Sequence, residues 1–280
     1  MNPSLALRKD FDFRAKILKY WAAFKANYFT NTAYAADLFA MALSVVIRIW
    51  LFYQLYGVVF KEAGAEEIGG FNLPLTIWYL ALAQCIINST RPRLIIRGIM
   101  QDIQSGNIAY QIARPYGYIL YNIFTAFGRI AANMLSALSL SVAACLLLVG
   151  SVDLTWQGLL AGCLLLVGGL LMNIIQSIAI GCLAFWSEDV TAFERIYHKA
   201  NLVFGGVVVP LTFFPGVLRT VAELLPFSQS FYPPVHMVLD FNGSLFLRLA
   251  LVQAFWILAS LMLAALLFKK GVKNVNLNGG

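Results

Sequence analysis

Six stretches of the chain stay apolar over the length a helix needs to cross a bilayer, about 20 mainly apolar residues. They cover residues 34–59, 73–90, part of 118–149, 158–186, 196–214 and 244–268. The runs are continuous and lack the two-residue alternation of a barrel wall, which predicts helices and not strands. Gly168, Gly169, Gly205 and Gly206 fall inside them and let neighbouring helices approach closely. Ahead of the first run, Phe13, Ile17, Tyr20, Trp21, Phe24 and Tyr28 recur at steps of three or four. Arg14, Lys16, Lys19 and Lys25 mostly occupy other faces. This predicts an amphipathic helix over residues 1–33, lying in the headgroup layer or packed on the protein. A cleavable signal is not expected, because no short apolar core is followed by a small-residue cleavage site.

Composition turns this pattern into a class. Hydrophobic residues make up 60% of the 280 and charged residues 12%, with mean hydropathy +0.76. A soluble domain carries roughly 25% charged residues and cannot hide so much apolar surface. A soluble enzyme, a disordered chain and a secreted disulfide scaffold are excluded. The expectation is an all-α integral membrane protein, one transmembrane domain over residues 1–280. It comprises an interfacial helix (1–33), a six-span bundle (34–268) and a tail (269–280). Cys85, Cys145, Cys163 and Cys182 each sit in an apolar run with no CxxC neighbour, as small core residues do.

The net charge of +7 does not point to nucleic acid here, because its distribution along the chain does other work. With the N-terminus inside, 15 basic residues fall in cytoplasmic segments and only Lys61, Arg219 and Arg248 on the other side. That bias places both termini in the cytoplasm and makes the number of spans even.

Three connections carry further information. Residues 91–115 read RPRLIIRGIMQDIQSGNIAYQIARP, with Leu94, Ile95, Ile99 and Ile103 spaced for one face of a short helix. Gly106 ends it, Pro115 leads into the third span, and Arg97, Gln101, Asp102 and Gln104 are free for water or a partner. Such a helix is a lever on two spans, or a plain connector. Residues 187–201 are short and highly charged, with Glu188, Asp189, Glu194, Arg195, His198 and Lys199. Residues 213–243 are rich in Pro, Phe and Leu and poor in charge. Pro215, Pro226, Pro233 and Pro234 divide them into pieces too short to span. These pieces are expected to dip into the outer leaflet and return as a lid, with Phe227 beside Pro226, or else to lie flat on the membrane.

Arg48 falls near the centre of the first span, where a charge costs at least about 2.5–3.5 kcal/mol. It must face the bundle or a wet cavity, contacting a substrate phosphate or sugar acid, or a neighbouring carbonyl or polar side chain. Asp37 lies 11 residues earlier, roughly 16 Å along a helix, too far to pair. Arg129 sits early in the third span and can snorkel. No P-loop, HExxH, GxSxG or dinucleotide fingerprint is present. His198 and His236 fall on opposite sides of the membrane and cannot share a metal, and the His236–Asp240 pair has no nucleophile beside it.

Three segments resemble the permease subunit of type-2 ABC exporters. They are Asp102–Pro115 (DIQSGNIAYQIARP), Pro210–Phe227 (PLTFFPGVLRTVAELLPF) and the ending in Gly279–Gly280. The resemblance follows the order of elements along nearly the whole chain. It implies six helices in the cytoplasmic (inner) membrane of a bacterium, with a cytoplasmic coupling helix mapping onto Leu94–Ser105. It implies re-entrant helices over Pro215–Asn242, and pairing with a second permease, the same chain or a related one. ATP is bound and split by a separate ABC ATPase subunit, so this chain carries no cofactor and is not itself an enzyme. ATP binding there would press on Leu94–Ser105. Arg97 and Asp102 lead the expected ATPase contacts, joined by Gln101, Ser105, Arg14 and Glu194; Arg48, Pro215, Pro226 and Phe227 belong to the pathway or lid. Alternatives are an ATP-independent transporter or channel, a membrane-embedded enzyme, and a membrane scaffold without transport. The first is disfavoured by the lack of paired intramembrane carboxylates.

Overall fold

The computed structural model describes residues 18–31, 35–114 and 116–278. Arg14, the first half of the N-terminal helix, Pro115 and Gly279–Gly280 lie outside the described residues. In chain order the helices are α1 (residues 18–31), α2 (Ala35–Ala63), α3 (Leu73–Thr90), α4 (Pro92–Gln104), α5 (Asn107–Ile112) and α6 (Tyr118–Leu148). They continue as α7 (Trp156–Cys182), α8 (Thr191–Phe204), α9 (Gly216–Leu224), α10 (Tyr232–Leu239) and α11 (Gly243–Asn278). Among the described residues there is no strand.

Three long helices start on side-chain caps at one end of the bundle. Asn72 Oδ1 accepts from Leu75 N at 2.9 Å, Thr155 Oγ1 from Gly158 N at 3.1 Å, and Asn242 Oδ1 from Ser244 N and Leu245 N at 3.1 Å. Each cap satisfies amide groups that the first helical turn leaves open. Among the described residues, five helices are long and apolar enough to cross a membrane: Leu43–Ala63, Leu73–Gln104, Tyr118–Leu148, Trp156–Phe185 and Gly243–Lys273. The core lies where α3, α7 and α10 meet, around Ile77, Tyr79, Leu80, Ile174, Ile178, Phe231 and Tyr232. On the outside, α2 and α11 leave large apolar side chains exposed, such as Leu51 and Leu55, and Leu251 and Phe255.

The run 196–214, expected to be a span, folds otherwise. α8 covers 14 residues and stops at Gly205. Gly206 then takes φ +72, and Pro210 has no amide hydrogen to give. A side chain at 206 would also collide with the Tyr79 hydroxyl, 2.6 Å from an ideal Cβ. The non-helical backbone beyond Gly205 runs along α3 and α2, where Gln84 Nε2 donates to Val207 O (3.3 Å) and Tyr56 Oη to Val208 O (2.8 Å).

Next comes a hairpin of α9, a 3-10 turn at Ser228–Ser230 and α10. Its return limb lies antiparallel against α7. An ideal Cβ on Gly169 would sit 2.8 Å from Ser230 O, and one on Gly158 2.7 Å from Met237 O. Gly169 is 13 residues from the start of α7. The tip is therefore roughly 20 Å deep at 1.5 Å per residue.

At the opposite end, α3 passes into α4 through Arg91, whose φ of 42 is left-handed. α4 buries Ile95, Ile96 and Ile99, the last against Gly181 of α7. Leu94, expected on that buried face, is exposed, because it lies on nearly the opposite side of α4 from the face that Pro92, Ile95, Ile96 and Ile99 bury. Gly106, at φ +73, ends the segment as the sequence predicts. α1 runs beside the first half of α6. Tyr20 stacks on Phe124 at 5.4 Å and accepts from Gly117 N, Phe24 backbone meets Gly128, and Asn31 Nδ2 donates to Asn133 Oδ1 at 2.6 Å. Much of its aromatic face is thus spent on the protein. Cys85, Cys145 and Cys182 are buried as expected; Cys163 is exposed, on the outer side of α7.

The glycine face of α7 sets the hairpin depth. Gly169→Val overpacks it and costs about 1–3 kcal/mol. Thermal-shift gel filtration of the purified protein reads this as a lowered midpoint, whereas Gly57→Ala, in open space, leaves the midpoint level or raises it.

Candidate functional site

One face of each of three helices lines a common cavity. On α2 the face is Ser44, Arg48 and Phe52, spaced by four. On α3 it is Gln84, Ile87, Asn88 and the hinge residue Arg91. On α8 it is Glu194, Tyr197, His198 and Leu202. The first turn of α4 closes the rim with Pro92, Arg93 and Leu94. The cavity volume is about 920 Å³, the upper part of the range for small-molecule sites. Arg93, Leu94 and His198 are exposed at the rim, so the α4 end is open, and Val208 is exposed as well.

A polar ladder runs up one wall. Arg48 Nη2 donates to Ser44 Oγ (3.0 Å) and to Asn88 Oδ1 (2.9 Å). Asn88 Nδ2 donates to Gln84 O at 2.6 Å, and Gln84 reaches Val207 O. Arg48 Nε is buried with no partner. Among the described residues no carboxylate pairs with Arg48. Arg48 is the fourteenth of the 29 residues of α2 and lies level with Asn88, two residues from the end of α3. Its placement satisfies the reading that it bonds neighbouring polar side chains, and leaves one face toward the cavity lining.

The single carboxylate in the lining belongs to Glu194. Its side chain is 5% exposed and accepts from Arg93 Nε at 2.6 Å and Arg97 Nε at 2.9 Å. This clamp ties α8 to α4. At the start of α8, Asp189 Oδ1 accepts from the Thr191 hydroxyl and amide, which holds the Asp189 carboxyl below its usual range. Gln104 Nε2 bonds Glu188 O, a second tie between α4 and the segment before α8. Asp102 is occupied within the fold, accepting from Tyr118 Oη and Asn107 Nδ2, both at 2.8 Å. Gln101 and Ser105 are exposed on α4.

The hairpin reaches the same neighbourhood from the other end. Phe227 packs on Tyr197 and Phe204 of α8, with ring centroids 6.2 and 6.5 Å apart. Pro226 sits beside it near the tip, and Pro215 precedes α9 at the exposed entry. Glu223, buried, fixes the hairpin internally: Arg219 Nε donates at 2.9 Å, Tyr232 Oη at 3.3 Å, and Arg248 of α11 stands at 3.7 Å.

Of the residues singled out from sequence, Arg48 lies in the cavity, Glu194 and Arg97 are joined to each other, and Phe227 touches the cavity lining at Tyr197. Ser44, Gln84, Asn88, Arg91, Arg93 and Tyr197 were not marked by sequence reasoning as parts of one site. A signal existed: Ser44/Arg48 and Gln84/Asn88 are polar pairs four apart inside apolar helices, each pair on one helix face.

The family model described as ABC-2 family transporter protein matches residues 30–279 of the chain. No curated protein matches it.

Glu194→Gln leaves Arg93 and Arg97 without a carboxylate. Because Arg93 and Arg97 are 62% and 43% exposed and can resolvate, the loss is roughly 1–2 kcal/mol and not the full cost of a deeply buried pair. It appears as a lower melting midpoint and as earlier proteolytic cleavage between α7 and α8.

Proposed function

The chain belongs to the ABC-2 transporter family, and from that membership we propose that it is the permease subunit of an ATP-driven exporter in a bacterial cytoplasmic membrane. It forms the pathway, while a separate ATPase subunit binds and hydrolyses ATP. The observation that carries this reading is the arrangement of the cavity: open at the α4 end, with α4 clamped to its α8 wall and the hairpin tip packed on that wall at Tyr197.

The α4 end faces the cytoplasm, in keeping with the basic bias of the segments there. α8 together with the broken backbone up to Phe213 counts as the sixth passage, which returns both chain ends to the cytoplasmic side. Irregular backbone at membrane depth is permitted because side chains of regular helices satisfy it. The faces of α2 and α11 that stay apolar and exposed are available to lipid and to a second permease subunit, the same chain or a related one.

α4 is the coupling helix. Its exposed side offers Gln101, Ser105 and the outer part of Arg97 to the ATPase, and its inner side is tied to α8 through Glu194. α8 in turn bears Tyr197 and Phe204, on which the hairpin tip rests. A force on α4 therefore acts on the wall of the cavity and on the hairpin tip packed on that wall. Asp102 contributes by holding α4 to Tyr118 at the foot of α6.

The test is retention of the ATPase. A tagged permease expressed in its native host is expected to hold an ABC ATPase subunit through purification. Gln101→Lys with Ser105→Lys, both on the exposed side of α4, should cut the retained ATPase by about tenfold, a loss of some 1.4 kcal/mol, while membrane insertion is unchanged. Wild-type retention by the double variant, or transport at full rate by the permease alone in vesicles, rejects the proposal.

A further inference from the structure

We infer that the cavity binds an anionic amphiphile, with its acidic head at Arg48, Arg91 and Arg93 and its apolar chain against Phe52, Leu202 and Val208. As an account of what is exported, this rests on the permease reading above; as an account of binding, it stands on the following geometry.

The charge balance comes first. Three guanidinium groups line the cavity against one carboxylate, and that carboxylate is already shared between Arg93 and Arg97. Among the described residues Arg48 has only the neutral oxygens of Ser44 and Asn88, and its Nε has no partner there. A partly desolvated cation without a counter-charge is costly, and an anion at this position offsets the cost. The helix α4 adds to the same field. Its 13 residues begin at the cavity rim with no side-chain cap, and its N-terminal end carries a partial positive charge. Arg91, with a left-handed φ of 42, is the residue at which α3 passes into this end of α4.

The polar gradient comes second. The arginines sit at the rim, and the lining becomes apolar toward Phe52, Leu202 and Val208. The polar atoms of the deeper wall are already engaged, since Gln84 Nε2 donates to Val207 O and Gln84 Oε1 accepts from Asn88. A cation finds no free carboxylate here. A neutral sugar finds few unengaged side-chain acceptors. A small free anion fills the rim and leaves the apolar depth empty, whereas a volume of about 920 Å³ holds a head and a chain together.

The experiment is native mass spectrometry of the full-length protein from an uncharged detergent, with dodecyl phosphate, inorganic phosphate and dodecanol as probes. The expected result is one dodecyl phosphate bound, and both other probes at least about tenfold weaker. Arg48→Gln and Arg91→Gln should each weaken dodecyl phosphate by about tenfold. Arg48→Lys, which keeps the charge, should retain most of the affinity and controls for misfolding. Lys269→Gln with Lys270→Gln, on the exposed end of α11, should bind as the wild type does. Inorganic phosphate binding as tightly as dodecyl phosphate overturns the amphiphile and leaves a plain anion site. Dodecanol binding equally, or unchanged affinity in both arginine variants, overturns charge recognition. ATPase retention is scored in the same preparations. Retention without dodecyl phosphate binding sinks this inference alone, and binding without retention sinks the permease reading alone.

Discussion

Backbone that leaves a helix inside a membrane bundle exposes carbonyl and amide groups that lipid cannot satisfy, and each open group costs several kcal/mol. This chain has two such places, the stretch after Gly205 and the tip of the hairpin. Each is met by donors held on regular helices. Gln84 and Tyr56 serve Val207 and Val208. Gln253 of α11 serves Gln229 O at 2.8 Å and Leu165 O at 3.0 Å, so one amide joins α11, the hairpin tip and α7. Trp256 Nε1 serves Leu224 O at the end of α9, again at 2.8 Å. The broken elements are thus part of the bundle, and the cavity exists because α8 stops short and its continuation leans on α3.

Both buried carboxylates follow one design. Glu194 stands between Arg93 and Arg97, and Glu223 between Arg219 and Arg248. In each case the acid is buried, the arginines are partly exposed, and the group ties one element to another. Arranged like this they act as struts between helices. The two lie at opposite ends of the bundle, one fixing α4 to α8, the other fixing the hairpin to α11. Arg219 and Arg248 against Glu223 leave a charge of +1 (2 − 1) at the hairpin end, whereas Arg48, Arg91, Arg93 and Arg97 against Glu194 leave +3 (4 − 1) at the α4 end.

Much of the fold was legible because long apolar runs and caps act locally. The five long helices, the amphipathic α4 with its stop at Gly106, and the Pro-divided hairpin all follow from spacing and turn chemistry. The run 196–214 misled because hydropathy does not register that Gly205, Gly206 and Pro210 break a helix whose exposed carbonyls have outside donors. The aromatic spacing before α2 announced an amphipathic helix, but its partner, α6, is more than 90 residues away in sequence. Hairpin depth depends on Gly158, Gly162 and Gly169 meeting the backbone of another element, a match visible only once both are placed. The cavity was the least legible feature. Its lining comes from four segments, and only Arg48 is conspicuous on its own.

Arg93 belongs both to the strut and to the cavity. Were Glu194 paired with one arginine, any anion drawing that arginine inward would strand the carboxylate and free α8 from α4. With two arginines on one carboxylate, Arg97 keeps the tie while Arg93 turns to a ligand, at the cost of one charge-assisted bond of about 1.5–3 kcal/mol, partly repaid by the new contact. The excess of guanidinium over carboxylate at this end thus has a structural reason as well as a recognition one. It lets Arg93 move at the wall of the cavity without separating α8 from α4.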